Sequence, residues 1–318
     1  MENINNIMKK CTKTGKKIQI LLSTYNGQKY LRQQLDSFIS LDNFNDVKVL
    51  IRDDGSKDGT LDILEYYEKE YGFQVIRGNN VGVNNSIIEL IKYCDLSCDY
   101  YALSDQDDVW FPNKLIVSLE FLEKNISDKP VLFSSCSCIT DENLNPIGQS
   151  VLPNKGVSFY NAMIQNICPG HTQVFNREML LELKNNNSCD MFVLDYWIYL
   201  VASGIGKVIF MPECTVYHRQ HLNNAVGYQV NPVKNLIARL KRLNFKRADK
   251  GTIQLKAFYD LYKRKLSKEY LEEIEKFLDC NEFITSRLKY VKQSKVYRQT
   301  KGETILFRIL YILGKYHV

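Results

Sequence analysis

The 318-residue chain has no run of about 20 apolar residues, the length a membrane-spanning helix needs. It has no CxxC pair. Its nine cysteines are scattered, at 11, 94, 98, 136, 138, 168, 189, 214 and 280. That argues against a disulfide scaffold or a cysteine-built zinc module and for buried or free thiols in a reducing compartment. Cys136 and Cys138 would share one face of a strand, but two ligands without partners make no zinc site. The opening "MENINNIMKKCTKTGKK" is polar and basic without an apolar stretch, so no signal peptide is expected. Internal repeats and low-complexity linkers are absent. Histidine is scarce at four and tryptophan at two, few enough to examine singly.

What is present is ordinary for a globular protein: 45% apolar and 25% charged residues, enough for a sizeable core. The net charge of +6 is uneven. Residues 231–318 carry 21 Lys and Arg against 9 Asp and Glu, or +12. The other 230 residues carry 21 against 27, or −6. An acidic body with a basic tail suggests that the tail meets something anionic.

Short apolar runs alternate with amphipathic ones. Strands are expected at 17–23, 47–52, 73–77, 99–104 and 130–140. Helices are expected at 30–41, 60–72, 84–94 and from Pro112 to about Glu123, where Leu31, Leu35, Phe38 and Leu41 show the helical spacing. This β-α-β-α-β-α-β-α-β order predicts an α/β fold with a mostly parallel sheet and helices on both faces. After 140 the alternation degrades. From 231 the text is nearly all helical and basic. The expected divisions are an extension at 1–16, a main domain at 17–230 and a helical region at 231–318.

In such a sheet, ligands bind beyond the carboxyl ends of the strands. Three polar loops leave those ends: "STYNGQKY" (23–30), "RDDGSKDGT" (52–60) and "SDQDDVW" (104–110). The third crowds three aspartates into four positions. Carboxylates that close raise each other's pKa unless something positive stands between them. In an extended segment Asp105 and Asp107 point to one side and Asp108 to the other. Asp105 and Asp107 could then share Mg²⁺ or Mn²⁺, hard cations usually held together with a phosphate-bearing substrate. A solvated acidic turn, or an N-cap cluster before Pro112, is the alternative. In the second loop Asp58 could cap the helix that begins at Thr60.

"STYNGQKYLRQQLDS", "IRDDGSKDGT" and "LSDQDDVWFPNKL" resemble the family 2 glycosyltransferases, whose fold is GT-A. The "SDQDDVW" form looks most like the branch containing bacterial rhamnosyltransferases of polysaccharide assembly. The resemblance continues through "NICPGHTQVFN", "VLDYWIYLVAS" and "YHRQHLNNAVG" and covers roughly residues 17–228. It implies a Rossmann-like GT-A domain that moves a sugar from a nucleotide donor. It places Thr24, Tyr25, Asp53, Asp54, Asp105, Gln106, Arg219 and His221 on the nucleotide-sugar. It makes Asp107, with His221, the ligands of a divalent metal (Mn²⁺ or Mg²⁺). It makes Asp195 the general base. The family's acidic motif often pairs two acids, or His with Asp, whereas here Leu194 precedes Asp195.

These roles suit the chemistry. A nucleoside diphosphate leaves once a divalent ion offsets its charge. An acceptor hydroxyl attacks as a base takes its proton. One carboxylate opposite the leaving group gives displacement with inversion. Asp195 lies among apolar and aromatic residues, where burial would raise its pKa; capping a helix is its alternative role. Trp110 and Trp197 could be platforms for a sugar or base, or core. His171 follows a Pro-Gly turn and suits either the acceptor side or a structural role. His218 and His221, three apart, would share a face of a helix. His317 is terminal and is given no role.

The expected partners are a dTDP- or UDP-sugar and a glycan or lipid-linked glycan. The donor implied is dTDP-L-rhamnose, with a UDP-hexose as the alternative. The segments 236–247 and 305–318 mix apolar and basic residues, so as helices they could lie on a membrane surface. They could equally pack on the main domain or on a second subunit. No nucleic-acid module is visible. The location expected is cytoplasmic, either free or peripheral on the inner membrane face, in capsule or cell-wall polysaccharide assembly. Two other classes remain. A nucleotidyltransferase would carry a Gly-rich phosphate loop, and "STYNGQKY" offers only Gly27 and Lys29. A non-catalytic glycan or nucleotide binder would not need both Asp107 and Asp195.

Overall fold

The computed structural model describes residues 15–185, 193–221, 245–279 and 283–316. The expected extension at 1–16 therefore lies mostly outside the described residues, as do the boundary at 230 and most of the 236–247 segment.

Strand β1 (Ile18–Thr24) is followed by α1 (Leu31–Ile39), β2 (Val47–Asp53), α2 (Thr60–Tyr71), β3 (Gln74–Arg77), α3 (Val83–Lys92) and β4 (Tyr100–Ser104). β3, β2, β1 and β4 lie side by side, all parallel. Their apolar runs are explained by burial on both faces. Ile18, Ile20 and Leu22 of β1 enter one core with Leu31, Leu35 and Phe38 of α1. Leu21 enters the opposite core with Leu90 and Ile91 of α3. Gly72 closes α2 at φ 68°, a left-handed conformation that a side chain would resist.

The sheet's second half is mixed. Next come β5 (Val109–Trp110), α4 (Lys114–Glu123), β6 (Val131–Thr140), β7 (Pro146–Gln149), α5 (Phe159–Ala162), β8 (Val174–Asn176), α6 (Arg177–Asn185), α7 (Leu194–Ile205) and β9 (Lys207–Arg219). β8 inserts antiparallel between β4 and β6, while β6 and β9 run parallel. β5 pairs antiparallel with β9, Val109 opposite Tyr217 and Trp110 opposite Val216.

Four helices end the described chain: α8 (Phe245–Tyr262), α9 (Lys268–Asp279), α10 (Ile284–Gln293) and α11 (Lys301–Ile312). Phe258, Tyr262, Phe277, Tyr290, Phe307 and Tyr311 join the same core cluster as Leu21 and Leu103. The basic region thus packs on the sheet domain. Among the described residues, no helix is long and apolar enough to cross a membrane.

Candidate active site

The strand order reverses between β1 and β4, and the loops after β1, β2 and β4 open there. Parallel register sets Thr24 level with Asp53, and Leu22 level with Ser104.

The first two loops are stitched together. Asn26 N–H donates to Ser56 Oγ at 2.9 Å, Gly27 N–H to Thr60 Oγ1 at 2.8 Å and Gln28 N–H to Asp58 Oδ2 at 3.1 Å. Asp58 also accepts from Thr60 N–H at 3.1 Å, at the start of α2. Gln106 ties in the third loop: its Oε1 accepts from Thr24 Oγ1 at 2.6 Å and Tyr25 N–H at 2.9 Å. Thr24 is buried by this contact, while Tyr25 stands at the rim, 42% exposed.

Asp53 and Asp54 are buried together but differ in what they hold. Asp54 pairs with Arg52 and accepts from Val81 N–H and Gly82 N–H, both at 2.9 Å. Its oxygens are held within the protein by Arg52 and these two N–H groups. Asp53 Oδ2 accepts from Gly55 N–H and Ser56 N–H, both at 3.0 Å, and its Oδ1 is buried with no partner. Of the two, Asp53 has the oxygen to spare.

The third loop answers the crowding of its aspartates. Three of the four histidines converge on it, one to each carboxylate. His171 Nδ1 lies 3.5 Å from Asp105 Oδ2. His221 Nε2 lies 2.7 Å from Asp107 Oδ2. His218 Nδ1 lies 2.9 Å from Asp108 Oδ1. Residues 105–108 bend instead of running extended, so the expected side-to-side alternation fails and Asp105 and Asp107 meet different partners. Asp108 does not turn away; the β5–β9 register brings it beside His218, and it also accepts Arg219 N–H at 3.2 Å. His218 ends a strand, not a helix, so its spacing from His221 is not a shared helical face.

Burial raises Asp107 to about 6; Asp108 and Asp105 add to the rise, and His221 opposes it. Burial also opposes charge on His218, but the Asp108 carboxylate outweighs it and lifts His218 to about 9. His171 is pushed down to about 3 by burial and by His218, its ring stacked at 4.3 Å, so it is neutral at pH 7. Its Nε2 lies 2.7 Å from Ser137 Oγ. Lys114, fully buried, donates to the His171 carbonyl at 2.8 Å and is lowered to about 7 by burial.

Arg219 is only 2% exposed. Its guanidinium donates to the carbonyls of Asp107 and Glu142 and, at 2.5 Å, to Gln33 Oε1. It stacks over Tyr30, whose ring stacks in turn on His221 at 4.9 Å. Arg219 therefore braces the Asp107 loop. Both tryptophans are core. Trp110 packs edge-on against Phe38, and Trp197 against Phe258. Neither is an exposed platform.

Asp195 sits in the first turn of α7. Val193 is the N-cap residue, and it makes no side-chain capping bond. Asp195 Oδ2 accepts Gly170 N–H at 3.0 Å, one residue before His171. Its Oδ1 is buried with no hydrogen-bond partner. Burial raises this carboxyl to about 6, with Asp105 adding to the rise and the Gly170 N–H, the Tyr196 N–H and the Asn166 side chain opposing it.

Sequence reasoning passed over Asp108, His218, Lys114, Tyr30 and Gln33. Only Asp108 and His218 carried a signal, standing beside residues already chosen.

A mixed sheet with its polar loops at a Rossmann-like switch point and carboxylates at the crevice is the arrangement of a GT-A fold. The glycosyl transferase family 2 model matches residues 19–183, over half the chain, and the chain belongs to that family. It is 29% identical over 242 residues to the dTDP-rhamnosyl transferase RfbG of Shigella flexneri, covering 71% of this chain and 79% of that protein. It is 23% identical over 299 residues to an uncharacterized glycosyltransferase of Haemophilus influenzae, covering 86% and 90%. Among solved structures it resembles S. aureus TarS 1–349 in complex with UDP-GlcNAc, with TM-score 0.53 at 16% identity over 94% of this chain and 89% of that one. It also resembles the mannosyltransferase PcManGT of Pyrobaculum calidifontis in complex with GDP-Man and Mn²⁺, with TM-score 0.50 at 13% identity over 99% and 92%. The chain is a glycosyltransferase.

Proposed function

We propose that this glycosyltransferase moves L-rhamnose from dTDP-L-rhamnose to a glycan hydroxyl with inversion, in bacterial capsule or cell-wall polysaccharide assembly. The likeness to RfbG supports the donor. The observation that carries the chemistry is Asp195: a buried carboxyl whose Oδ2 is fixed by Gly170 N–H, with Tyr196 N–H and the Asn166 side chain also favouring its charge. Its Oδ1 is the acceptor for the hydroxyl proton. Its pKa near 6 leaves it ionised at neutral pH and basic enough to take a proton as the bond forms.

Asp107 and His221 are the residues that would hold a divalent ion. A carboxylate oxygen beside an imidazole nitrogen suits Mn²⁺, the ion named with PcManGT. Such an ion, when bound, offsets the charge of the departing diphosphate. We assign Asp53 to the base or ribose, since its Oδ1 has no partner within the protein, and Tyr25, exposed at the rim, to the border of the nucleotide. Gln106 and Thr24 hold that edge together. Arg219 keeps Asp107 in place.

We take 17–230 as the catalytic unit and 231–318 as an appended region, though the two share a core. A lipid-linked acceptor fits the outer face of that region. Ile305, Ile309 and Leu313 on and after α11, and Phe283, Ile284 and Leu288 at α10, are exposed beside Arg287, Lys289, Lys292 and Arg308. Apolar side chains ringed by cations suit an anionic membrane surface. Flotation with vesicles containing anionic lipid tests this, and a concentration-dependent dimer without flotation would point to a second subunit.

The test of the reaction is release of dTDP from dTDP-L-rhamnose, with and without acceptor glycan. Acceptor-dependent release, lost in Asp195→Asn with dTDP binding intact, is expected. Turnover of a UDP-hexose in place of dTDP-rhamnose would move the donor and keep the mechanism. Unchanged turnover in Asp195→Asn would remove the base.

A further inference from the structure

Asp195 is held in part by residues from the far end of the chain. It stands in the first turn of α7, whose first N–H groups have no partner within the helix. Val193, the N-cap residue, makes no side-chain bond to them. The partners come from elsewhere. Leu194 N–H donates to Asn84 Oδ1 of α3 at 2.9 Å. Val193 N–H donates to Gln254 Oε1 at 3.3 Å, and Gln254 lies on α8, 1% exposed. A buried amide of the basic C-terminal region thus closes the helix that carries Asp195.

A second set of contacts reaches Asp195 from another direction. The Asn166 side chain favours its ionised form. Asn166 ends the segment 155–166, which apart from the short α5 forms no helix or strand, so contacts from outside fix its course. Those contacts come from 297–299, the link between α10 and α11. The buried Asn161 donates through Nδ2 to the Tyr297 carbonyl at 3.1 Å. Arg298 Nη1 donates to the Ile164 carbonyl at 2.9 Å. Gln299 N–H donates to Gln165 Oε1 at 2.9 Å. The Gln299 side chain, buried as well, accepts Lys155 N–H and donates to the Gly156 carbonyl, both at 2.9 Å. An amide paired at both ends with backbone groups cannot shift without stranding them.

We propose that Gln254 and the 297–299 link are positioning elements for the catalytic base. The C-terminal region holds the start of α7 on one side and the 155–166 segment on the other, and so completes the acceptor side of the site. This rests on Asp195 as the base. It makes the region after 231 a working part of the transferase, beyond any role as a docking surface. The loops after β1 and β2 are tied to each other within the sheet domain, so nucleotide binding should not depend on these contacts.

The experiment pairs hydrogen exchange with kinetics on the full chain, in Gln254→Leu, Gln299→Ala and the milder Arg298→Met, with Asp195→Asn alongside. Peptides covering 155–168 should exchange faster in Gln299→Ala and Arg298→Met, and those covering 193–198 faster in Gln254→Leu. Peptides of β1 and β2 should keep wild-type rates. In release of dTDP from dTDP-L-rhamnose, kcat should fall about tenfold with KM and dTDP affinity held. The acidic limb of the profile should move to higher pH, because loosened Asn166 and Tyr196 N–H contacts favour the carboxylate less. Unchanged exchange in both segments overturns the proposal, and this measurement needs no substrate. Acceleration spread evenly over all strands also overturns it, since that marks a loss of global stability. Wild-type kcat and pH profile in these variants, beside an inactive Asp195→Asn, overturn it and leave the base in place. Full turnover in Asp195→Asn removes the base itself, and the positioning role with it.

Discussion

Two acidic loops flank the same crevice, and their carboxylates are satisfied in opposite ways. After β2, Asp54 is held by Arg52 and two backbone N–H groups, and Asp53 by two more. After β4, each of three aspartates faces a histidine. An arginine or an amide keeps its carboxylate ionised and in place. A histidine can give up its proton and its partner to an incoming cation. The first loop is thus a fixed wall with one spare oxygen, and the second a set of carboxylates each faced by an imidazole, neutral at His171 and charged at His218.

The largest effect should come from the carboxylate that neither loop contains. Asp195→Asn should lower kcat by about 10²–10⁴-fold with dTDP affinity unchanged. The acidic limb of the wild-type profile follows from the same group. The base works ionised, so kcat should fall about tenfold per pH unit below its pKa of about 6 and level off above it. Next, Asp54→Ala should strand Arg52 in the interior and cost about 3–5 kcal/mol of unfolding free energy, read by denaturant titration.

The second loop should respond with the opposite sign. Asp107 has a folded pKa raised to about 6 from 3.8, so its charge works against the metal-free fold at neutral pH. Asp107→Asn should therefore stabilise metal-free protein by about 1 kcal/mol at pH 7. That gain should shrink as pH falls from about 6 towards 4, where wild-type Asp107 is itself protonated. A destabilised Asp107→Asn at pH 7 would erase the distinction between the loops. The smallest effect concerns the tie between them. At Gly27 a Cβ would meet Gln106 Oε1 at 2.6 Å and Thr24 Oγ1 at 2.7 Å. Gly27→Ala should break that contact and weaken nucleotide binding by roughly 1 kcal/mol, about fivefold.

Much of this was legible in the chain. The alternation through residue 104 describes β1 to β4, because strands buried on both faces read as plain apolar runs. The three polar loops fall at one edge because parallel strands end together. Beyond 140 the reading thins for physical reasons. β8 is three residues long, too short for a period to show. β9 is long and half exposed, and its "YHRQH" end carries no helix or strand signature. The partner of Asp108 was hidden because it depends on the β5–β9 register, a pairing across more than a hundred residues. The tryptophans show the same limit. Residue type marks Trp110 and Trp197 as suitable for sugar contact, and only packing shows both committed to the core.

The contrast between the loops is tested most directly by calorimetric titration of dTDP, with UDP alongside, into wild-type, Asp107→Asn and His221→Asn proteins, each with and without Mn²⁺. The predicted result is dTDP binding that tightens with Mn²⁺ in the wild type and loses that dependence in both variants. Binding of equal strength with and without Mn²⁺ in all three proteins would contradict it and return the histidine-faced aspartates to a purely structural role.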